Sequence, residues 1–540
     1  MTTDRSLLVL AIDAARPELI RRWAASGKLP AIRRLLEGGT SGSVEGVKGY
    51  FIGSTWPSLY TGLGPAGHGF HRIEQLRPGS YGFHRPLEEP GGLPGTPFWR
   101  RASDAGRRVA VLDVPLSRPE PELNGIQTVE WGGHDAVFGF RTTPPGLADE
   151  ILEEAGPYPL PEACDRVRRT AADFRAYLDG LEEAVERKRE LTLSLLERED
   201  WDLFVQVFTE AHCAGHQTWH LHDPDHPAHD AALAAAVGDP IERVYRAIDR
   251  AVGAIVERSG ADRVLLLSAH GMRAYWGASF FLLPKLLRAL GATVPAAGGN
   301  GPSDGLAGRA VEAARGLWRR LPDRTRDALR PLREAVGPDA PGDGEGHQIP
   351  ADLTRSPCFP VPNGSPVGAV RLNLAGREPT GVLAPGAEAD TFCEWLAEGL
   401  LAVTDDRTGG PLIEDVYRTA DHHDGPRLDA LPDLLVEWTR DPPVGTRAHG
   451  EGRGATIRAR SPEIGTVEAT NGYVRTGEHV PEGFFTLSGP DVSAARRGEP
   501  VRVVDVHPTI CRLLGLPDPG VDGAPARDLL PPDGPGSPGR

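Results

Sequence analysis

Four continuous apolar runs constrain this chain more than any other feature. Leu7–Ile12, Val109–Leu112, Leu203–Phe208 and residues 264–267 are apolar at nearly every position. A strand with one face in water alternates apolar and polar residues. A strand without that alternation is buried on both faces, as in a parallel sheet between two helical layers. Helical patterning fills the intervals, at Pro17–Ala25, 30–36, 98–105, 171–197 and 240–258. Strand and helix in alternation predict an α/β fold: a doubly wound, mostly parallel sheet with helices on both faces.

The regular alternation breaks once. Gly-Pro-rich sequence at 296–302 and 337–347 flanks an arginine-rich helical stretch at 307–335, which reads as a smaller cap or insertion. Strand patterning resumes at 370–374 and Leu434–Trp438. The expected organisation is a core whose first part is 1–292, an insertion at 293–351, a second core part at 352–530 and a disordered tail at 531–540. There is no internal repeat.

Composition excludes more than it assigns. With 59 basic and 75 acidic residues among 540, the formal charge is −16, a poor match to nucleic acid, whose phosphates need a cationic face. No apolar run approaches the ~20 residues that span a bilayer, so no membrane partner is expected. The N-terminal residues lead directly into the first strand rather than into a cleavable signal. Five widely spaced cysteines with no CxxC read as reduced thiols of a cytoplasmic protein. Oligomeric state is not legible.

Chemistry gathers where an open α/β sheet places it, at the carboxyl ends of strands. Asp13 ends the first run. Glu210, His212 and His216 follow Leu203–Phe208, and His270 follows 264–267. Each has an ordinary alternative. Asp13 before a helix is commonly an N-cap. His212 and His216, at i and i+4, share a helix face and could bind one metal. With 17 histidines in the chain, and His220, His222, His226 and His229 close by, such a pair also arises by chance. Convergence of three strand ends favours a metal site. The second feature is Gly53-Ser-Thr-Trp-Pro-Ser-Leu-Tyr-Thr-Gly-Leu-Gly-Pro-Ala-Gly-His-Gly69. A hydroxyl residue ahead of Pro57 reads as a helix start, where free backbone N–H groups suit phosphate. Ser54 or Thr55 is then either a cap or a nucleophile that a metal must activate.

Thr55-Trp-Pro-Ser, followed by Thr61-Gly-Leu-Gly-Pro and His68-Gly, resembles the nucleophile segment of the alkaline phosphatase superfamily. Within it, the sequence is most similar to the type I phosphodiesterase/nucleotide pyrophosphatase and related phosphohydrolase/phosphomutase branch. Arg371-Leu-Asn-Leu-Ala-Gly-Arg-Glu-Pro379 and Leu431-Pro-Asp-Leu-Leu-Val-Glu-Trp438 resemble signatures of that branch. Thr476-Gly-Glu-His-Val-Pro-Glu-Gly-Phe-Phe485 resembles its last ligand segment, and Val503-Val-Asp-Val-His-Pro-Thr-Ile510 with Leu513-Leu-Gly-Leu516 its closing elements. These segments occur in family order over roughly 7–292 and 352–530. Cys358-Phe-Pro-Val-Pro lacks the final arginine of a sulfatase CxPxR sequence.

The resemblance implies an alkaline phosphatase-like fold and two divalent metal ions, zinc first and manganese second. Residues His212, His216 and His479 would hold one ion, and Asp13, Thr55 and the 269–270 pair the other, with Thr55 as the phosphorylated nucleophile. The family usually has Asp where this chain has His212, and Asp-His where it has Ala269-His270. Three imidazoles form a competent zinc site. The second site keeps one carboxylate, unless Glu210 or another acid completes it. The implied activity is metal-dependent hydrolysis of a small-molecule phosphate ester or phosphonate. A phosphomutase on the same scaffold, or a metal- or phosphate-binding protein with a decayed site, are the alternatives.

Overall fold

The computed structural model describes residues 6–133, 135–160, 165–296, 351–526 and 529. The expected helical stretch at 307–335, nearly all of the 293–351 insertion and the 531–540 tail lie outside them.

The four apolar runs are strands, and they are neighbours. In chain order the main sheet comprises β1 (Leu7–Ile12), β2 (Thr40–Glu45), β3 (Val109–Leu112), β4 (Gly125–Val129), β5 (Arg141–Thr143), β6 (Leu203–Phe208) and β7 (Arg263–Ser268). A separate two-stranded ribbon pairs β8 (Gly271–Ala274) with β9 (Gly477–Val480), antiparallel, with Met272 opposite His479. The main sheet is completed by β10 (Glu482–Ser488), β11 (Ala495–Arg496) and β12 (Val501–Arg502). Its order is β11-β2-β10-β7-β1-β6-β3-β4-β5, with β12 also on β2. From β7 to β4 every pairing is parallel. β10 enters antiparallel between β2 and β7, and β5 closes the far edge antiparallel to β4. The sheet is therefore mixed but mostly parallel, and β1 lies at its centre between β6 and β7.

Every residue of β1, β6 and β7 is buried, because successive side chains enter opposite cores. Leu7, Val9 and Ala11 join one apolar cluster. Leu8, Leu10 and Ile12 join the other, beneath α1 (Pro17–Ala25), α2 (Pro30–Gly38), α4 (Ala171–Leu196), α5 (Glu210–His222) and α6 (Pro240–Ser259), with α3 (Thr55–Thr61) on the opposite side. Local chemistry sets the ends of the long helices. Thr170 and Asp173 form a reciprocal capping box at the start of α4. Asp239 caps α6 ahead of Pro240, and Gly260 ends it in the left-handed conformation. The strand patterning expected at 370–374 and Leu434–Trp438 belongs to a separate four-stranded antiparallel sheet. There Arg371 bonds Glu378, and Arg377 bonds both Glu378 and Asp433, so the 371–379 segment carries a charge network, buried at Arg371 and Glu378, that ties this sheet together. Among the described residues no helix is long and apolar enough to cross a membrane.

The expectation of five reduced thiols fails at Cys213. That residue is disulfide-bonded, while Cys358, Cys393 and Cys511 are free and buried. Disulfides belong to oxidising surroundings. The cysteines thus carry no argument for the cytoplasm.

Several histidines are buried as packing groups. Burial pushes His68 down to about 3, and His226, His449 and His507 down to about 4. Above the ordinary value of 6.5 these rings are neutral whether the chain is folded or not. Below it the unfolded chain takes up protons that the folded one refuses, so stability is lost as pH falls. Thermal unfolding should show the melting temperature dropping steadily from pH 6.5 towards pH 4, each ring contributing on the order of 1 kcal/mol or more. A melting temperature flat across that window would contradict this assignment.

Candidate active site

Three adjacent strand ends deliver three candidate groups to one place. Asp13 follows β1, and its backbone N–H bonds the Phe208 carbonyl at the end of β6 at 2.9 Å. His212 and His216 lie on α5, which starts two residues after β6 ends. His270 sits between β7 and β8. β9 then brings His479 across from β8.

The three imidazoles at 212, 216 and 479 meet edge to edge. His216 Nε2 is 3.2 Å from His212 Nε2 and 3.1 Å from His479 Nε2. All three rings are buried and lie close enough to share one metal ion. His216 Nδ1–H donates to the Gly477 carbonyl at 2.8 Å, which fixes the tautomer and turns the Nε2 lone pair inward. That is how metal-ligating histidines are normally oriented. The donor set suits Zn²⁺, for which three neutral imidazoles leave a fourth position open.

Asp13 joins this cluster through direct contacts, and Thr55 through its chain neighbour Trp56. Asp13 Oδ1 accepts from Trp56 Nε1 at 3.0 Å and lies 3.6 Å from His270 Nε2. The His270 ring is 4.7 Å, centroid to centroid, from His479. Trp56 follows Thr55, so the start of α3 is tied to the ligand cluster. The ordinary readings of both residues fail. α1 begins after Arg16 with no side-chain cap, and Asp13 takes no part in it. Neither hydroxyl caps α3: Ser54 Oγ donates to the Phe70 carbonyl at 2.6 Å, and Thr55 Oγ1 to Phe51 at 2.6 Å. All six predicted residues, Asp13, Thr55, His212, His216, His270 and His479, are buried. Contacts link five of them across 466 sequence positions (479 − 13), and Thr55 reaches them only as the chain neighbour of Trp56.

Glu210 is engaged through one carboxylate oxygen, while its Oε2 is buried without a hydrogen-bond partner. Its Oε1 is 3.1 Å from Lys188 Nζ and accepts from Tyr158 at 2.9 Å. Sequence reasoning missed three groups nearby. A cavity of about 90 Å³ is lined by His212, His479, Gly53, Arg72, Phe280, Tyr473, Arg475 and Glu478, among others. Burial pushes the Glu478 carboxyl up to about 7, against the opposing charge of Arg475. Arg475 is paired with Asp165. Glu478 and Arg475 stand beside His479 in sequence and were discoverable there. Asp165, 310 positions from Arg475, carried no local signal.

Glycines set the close approach of α5 to the β8–β9 ribbon. A Cβ at Gly477 would lie 2.2 Å from the Gly215 carbonyl oxygen, and one at Gly215 would lie 2.8 Å from Met272 Cγ. Backbone cannot yield as a side-chain tip can, so Gly477→Ala should push α5 from the ribbon and displace the carbonyl that orients His216. The affinity of the three imidazoles for a divalent metal should fall about 10–100-fold, the usual cost of losing a supporting contact. Competition titration against a chromophoric chelator would measure it, and unchanged affinity would contradict the role given to this contact.

A family description, type I phosphodiesterase / nucleotide pyrophosphatase, matches residues 7–307, a span that includes Asp13, Thr55, His212, His216 and His270. Comparison with curated proteins finds no match. Among solved structures the chain is similar to murine ectonucleotide pyrophosphatase/phosphodiesterase 5, solved as an inactive variant with AMP (13% identity, 97% of this chain and 100% of that one, TM-score 0.45). It is also similar to phosphonoacetate hydrolase of Sinorhizobium meliloti, solved with phosphonoformate (14% identity, 93% and 94% covered, TM-score 0.49). Since the matched span exceeds half of the sequence, the chain belongs to the type I phosphodiesterase / nucleotide pyrophosphatase family and is an enzyme of the phosphohydrolase class.

Proposed function

We propose that this protein hydrolyses a small-molecule phosphate ester or phosphonate by nucleophilic attack of Thr55 Oγ1 on phosphorus. The observation that carries this reading is the contact chain from Trp56 through Asp13 and His270 to the three imidazoles. It ties the start of α3, where Thr55 sits, to a donor set suited to zinc. His212, His216 and His479 would hold one divalent ion, and Asp13, Thr55 and His270 a second. Such ions lower the pKa of a bound hydroxyl and offset charge on the attacking and leaving oxygens.

The rest is the work of this chain's own residues. Thr55 Oγ1, now bonded to the Phe51 carbonyl, gives up its proton and attacks phosphorus. The bond from phosphorus to the substrate's organic part breaks, that part leaves carrying an equivalent proton from solvent, and the phosphoryl group stays as a phosphothreonine. Water then attacks the same phosphorus, the P–Oγ1 bond breaks, inorganic phosphate is released and one proton of the water returns to Oγ1. Positioning and charge stabilisation carry most of such a reaction, and the buried helix start supplies the positioning. His212 and Ala269 stand where the family usually has carboxylates. With both ions held, the site is more cationic by two charges than the usual one, which favours a dianionic monoester or phosphonate over a monoanionic diester.

The test is elemental analysis of the purified protein, joined to phosphate release from a panel of monoesters, diesters and phosphonates. Zinc binding and free phosphate from monoesters support the reading. An isomerised phosphoester in place of free phosphate would make the protein a mutase, and absence of both metal and turnover would leave a decayed site. The same analysis ranks the two ion positions. After dialysis the three-imidazole ion should remain and the other should be largely lost, because Ala269 supplies no carboxylate and Glu210 is engaged by Lys188. Ala269→Asp should restore the second ion. Two equally tight ions in the unaltered protein would contradict that ranking.

A further inference from the structure

Arg475 has no part in the reaction just described, yet it stands against the three-imidazole cluster. It lines the same cavity as His212 and His479, and only 13% of its side chain is exposed. Its Nε and Nη2 donate to the two carboxylate oxygens of Asp165 at 2.7 and 3.0 Å. Asp165 accepts a further bond from the Tyr473 hydroxyl at 2.8 Å. Burial alone would raise the Asp165 carboxyl, but the charge and hydrogen bonds of Arg475 outweigh it and hold the group below the usual carboxylate range. A guanidinium is planar and rigid, so fixing two of its nitrogens fixes the direction of the third. That third nitrogen, Nη1, lies 3.2 Å from His216 Nε2.

His216 Nδ1 donates to Gly477, so Nε2 carries the lone pair that Nη1–H meets. The same lone pair is the one a cation would take. Once it is taken, Nη1–H needs another acceptor, in a cavity where the substrate's phosphoryl oxygens would gather. Bidentate pairing with Asp165 engages Nε and Nη2 and leaves Nη1 as a single donor of fixed direction, able to form a charge-assisted bond to a phosphoryl oxygen.

We propose that Arg475 binds a phosphoryl oxygen of the substrate, held in aim by Asp165 and Tyr473. This rests on the phosphohydrolase reading above and adds a residue that reading does not contain. The experiment is calorimetric titration of the zinc-loaded, full-length protein with inorganic phosphate, with zinc content measured on the same samples. Arg475→Gln should weaken phosphate binding at least about tenfold, the usual loss for a charge-assisted bond, while zinc content stays at the wild-type value. Arg475→Lys keeps the charge without the fork and should fall between the two. Wild-type phosphate affinity in Arg475→Gln would overturn the proposal. If the Gln variant does not fold, the Lys variant decides: weakened binding supports the proposal, and unchanged binding overturns it. Zinc-loaded wild-type protein that binds no phosphate would overturn the phosphohydrolase reading itself, and the proposal with it.

Discussion

Thr55→Ala is expected to abolish turnover while leaving the protein folded and the ion at the three imidazoles in place. Loss of a covalent nucleophile typically costs on the order of 10⁴-fold or more in rate. The structural loss is one hydroxyl and its bond to the Phe51 carbonyl at 2.6 Å, worth about 1 kcal/mol. Ser54→Ala is the matched control. It removes an equally buried hydroxyl one residue away, bonded to Phe70, and should cost a similar amount of stability with turnover kept within about tenfold, since that hydroxyl takes no part in the proposed chemistry. Rate measurements on both variants, with circular dichroism and zinc analysis, separate the two roles. An active Thr55→Ala beside a dead Ser54→Ala would move the nucleophile by one residue.

Lys188→Met should produce the largest loss of stability. Lys188 is one of only four lysines in the chain, and it is 2% exposed beside Glu210 at 0%. Its ammonium donates to the Gly132 carbonyl at 2.9 Å and to Thr209 at 3.2 Å. Removing it strands a buried carboxylate, which costs about 3–5 kcal/mol. Glu210 also opens α5, so the damage should reach His212 and His216. Denaturant unfolding measures the loss. Lys188→Met combined with Glu210→Gln should recover most of it, because the stranded charge is gone. A single variant within about 1 kcal/mol of wild type would show that the pair is not needed for stability.

The parallel centre of the fold was legible because burial on both faces leaves its mark in each strand's own residues. β1, β3 and β6 have the expected limits, and β7 extends one residue further at each end. β10 was not read as a strand of this sheet, and its antiparallel entry beside β7 depends on a partner more than 200 residues away. The strand patterning at 370–374 and Leu434–Trp438 gave no sign that those strands form a sheet of their own. In the site, Asp13, His212, His216 and His270 were found from the rule that ligands gather at strand ends. His479 came from resemblance alone, since nothing local says that β9 will lie beside β8. Asp165 stayed hidden for the same reason: its pairing with Arg475 spans 310 positions. The capping alternatives for Asp13 and Thr55 were sound by propensity; tertiary contacts took the Asp13 carboxylate, and the Phe51 carbonyl four residues back took the Thr55 hydroxyl.

The central claim is that Thr55 carries the phosphoryl group during metal-dependent turnover. Acid-quenching the zinc-loaded enzyme while it turns over a phosphate monoester, then mapping the digest by mass spectrometry, tests it most directly. The account predicts a phosphoryl group on Thr55, absent when zinc is removed with a chelator and absent in Thr55→Ala. Steady turnover with phosphate found on another residue, or a Thr55→Ala enzyme that still becomes phosphorylated, would contradict it.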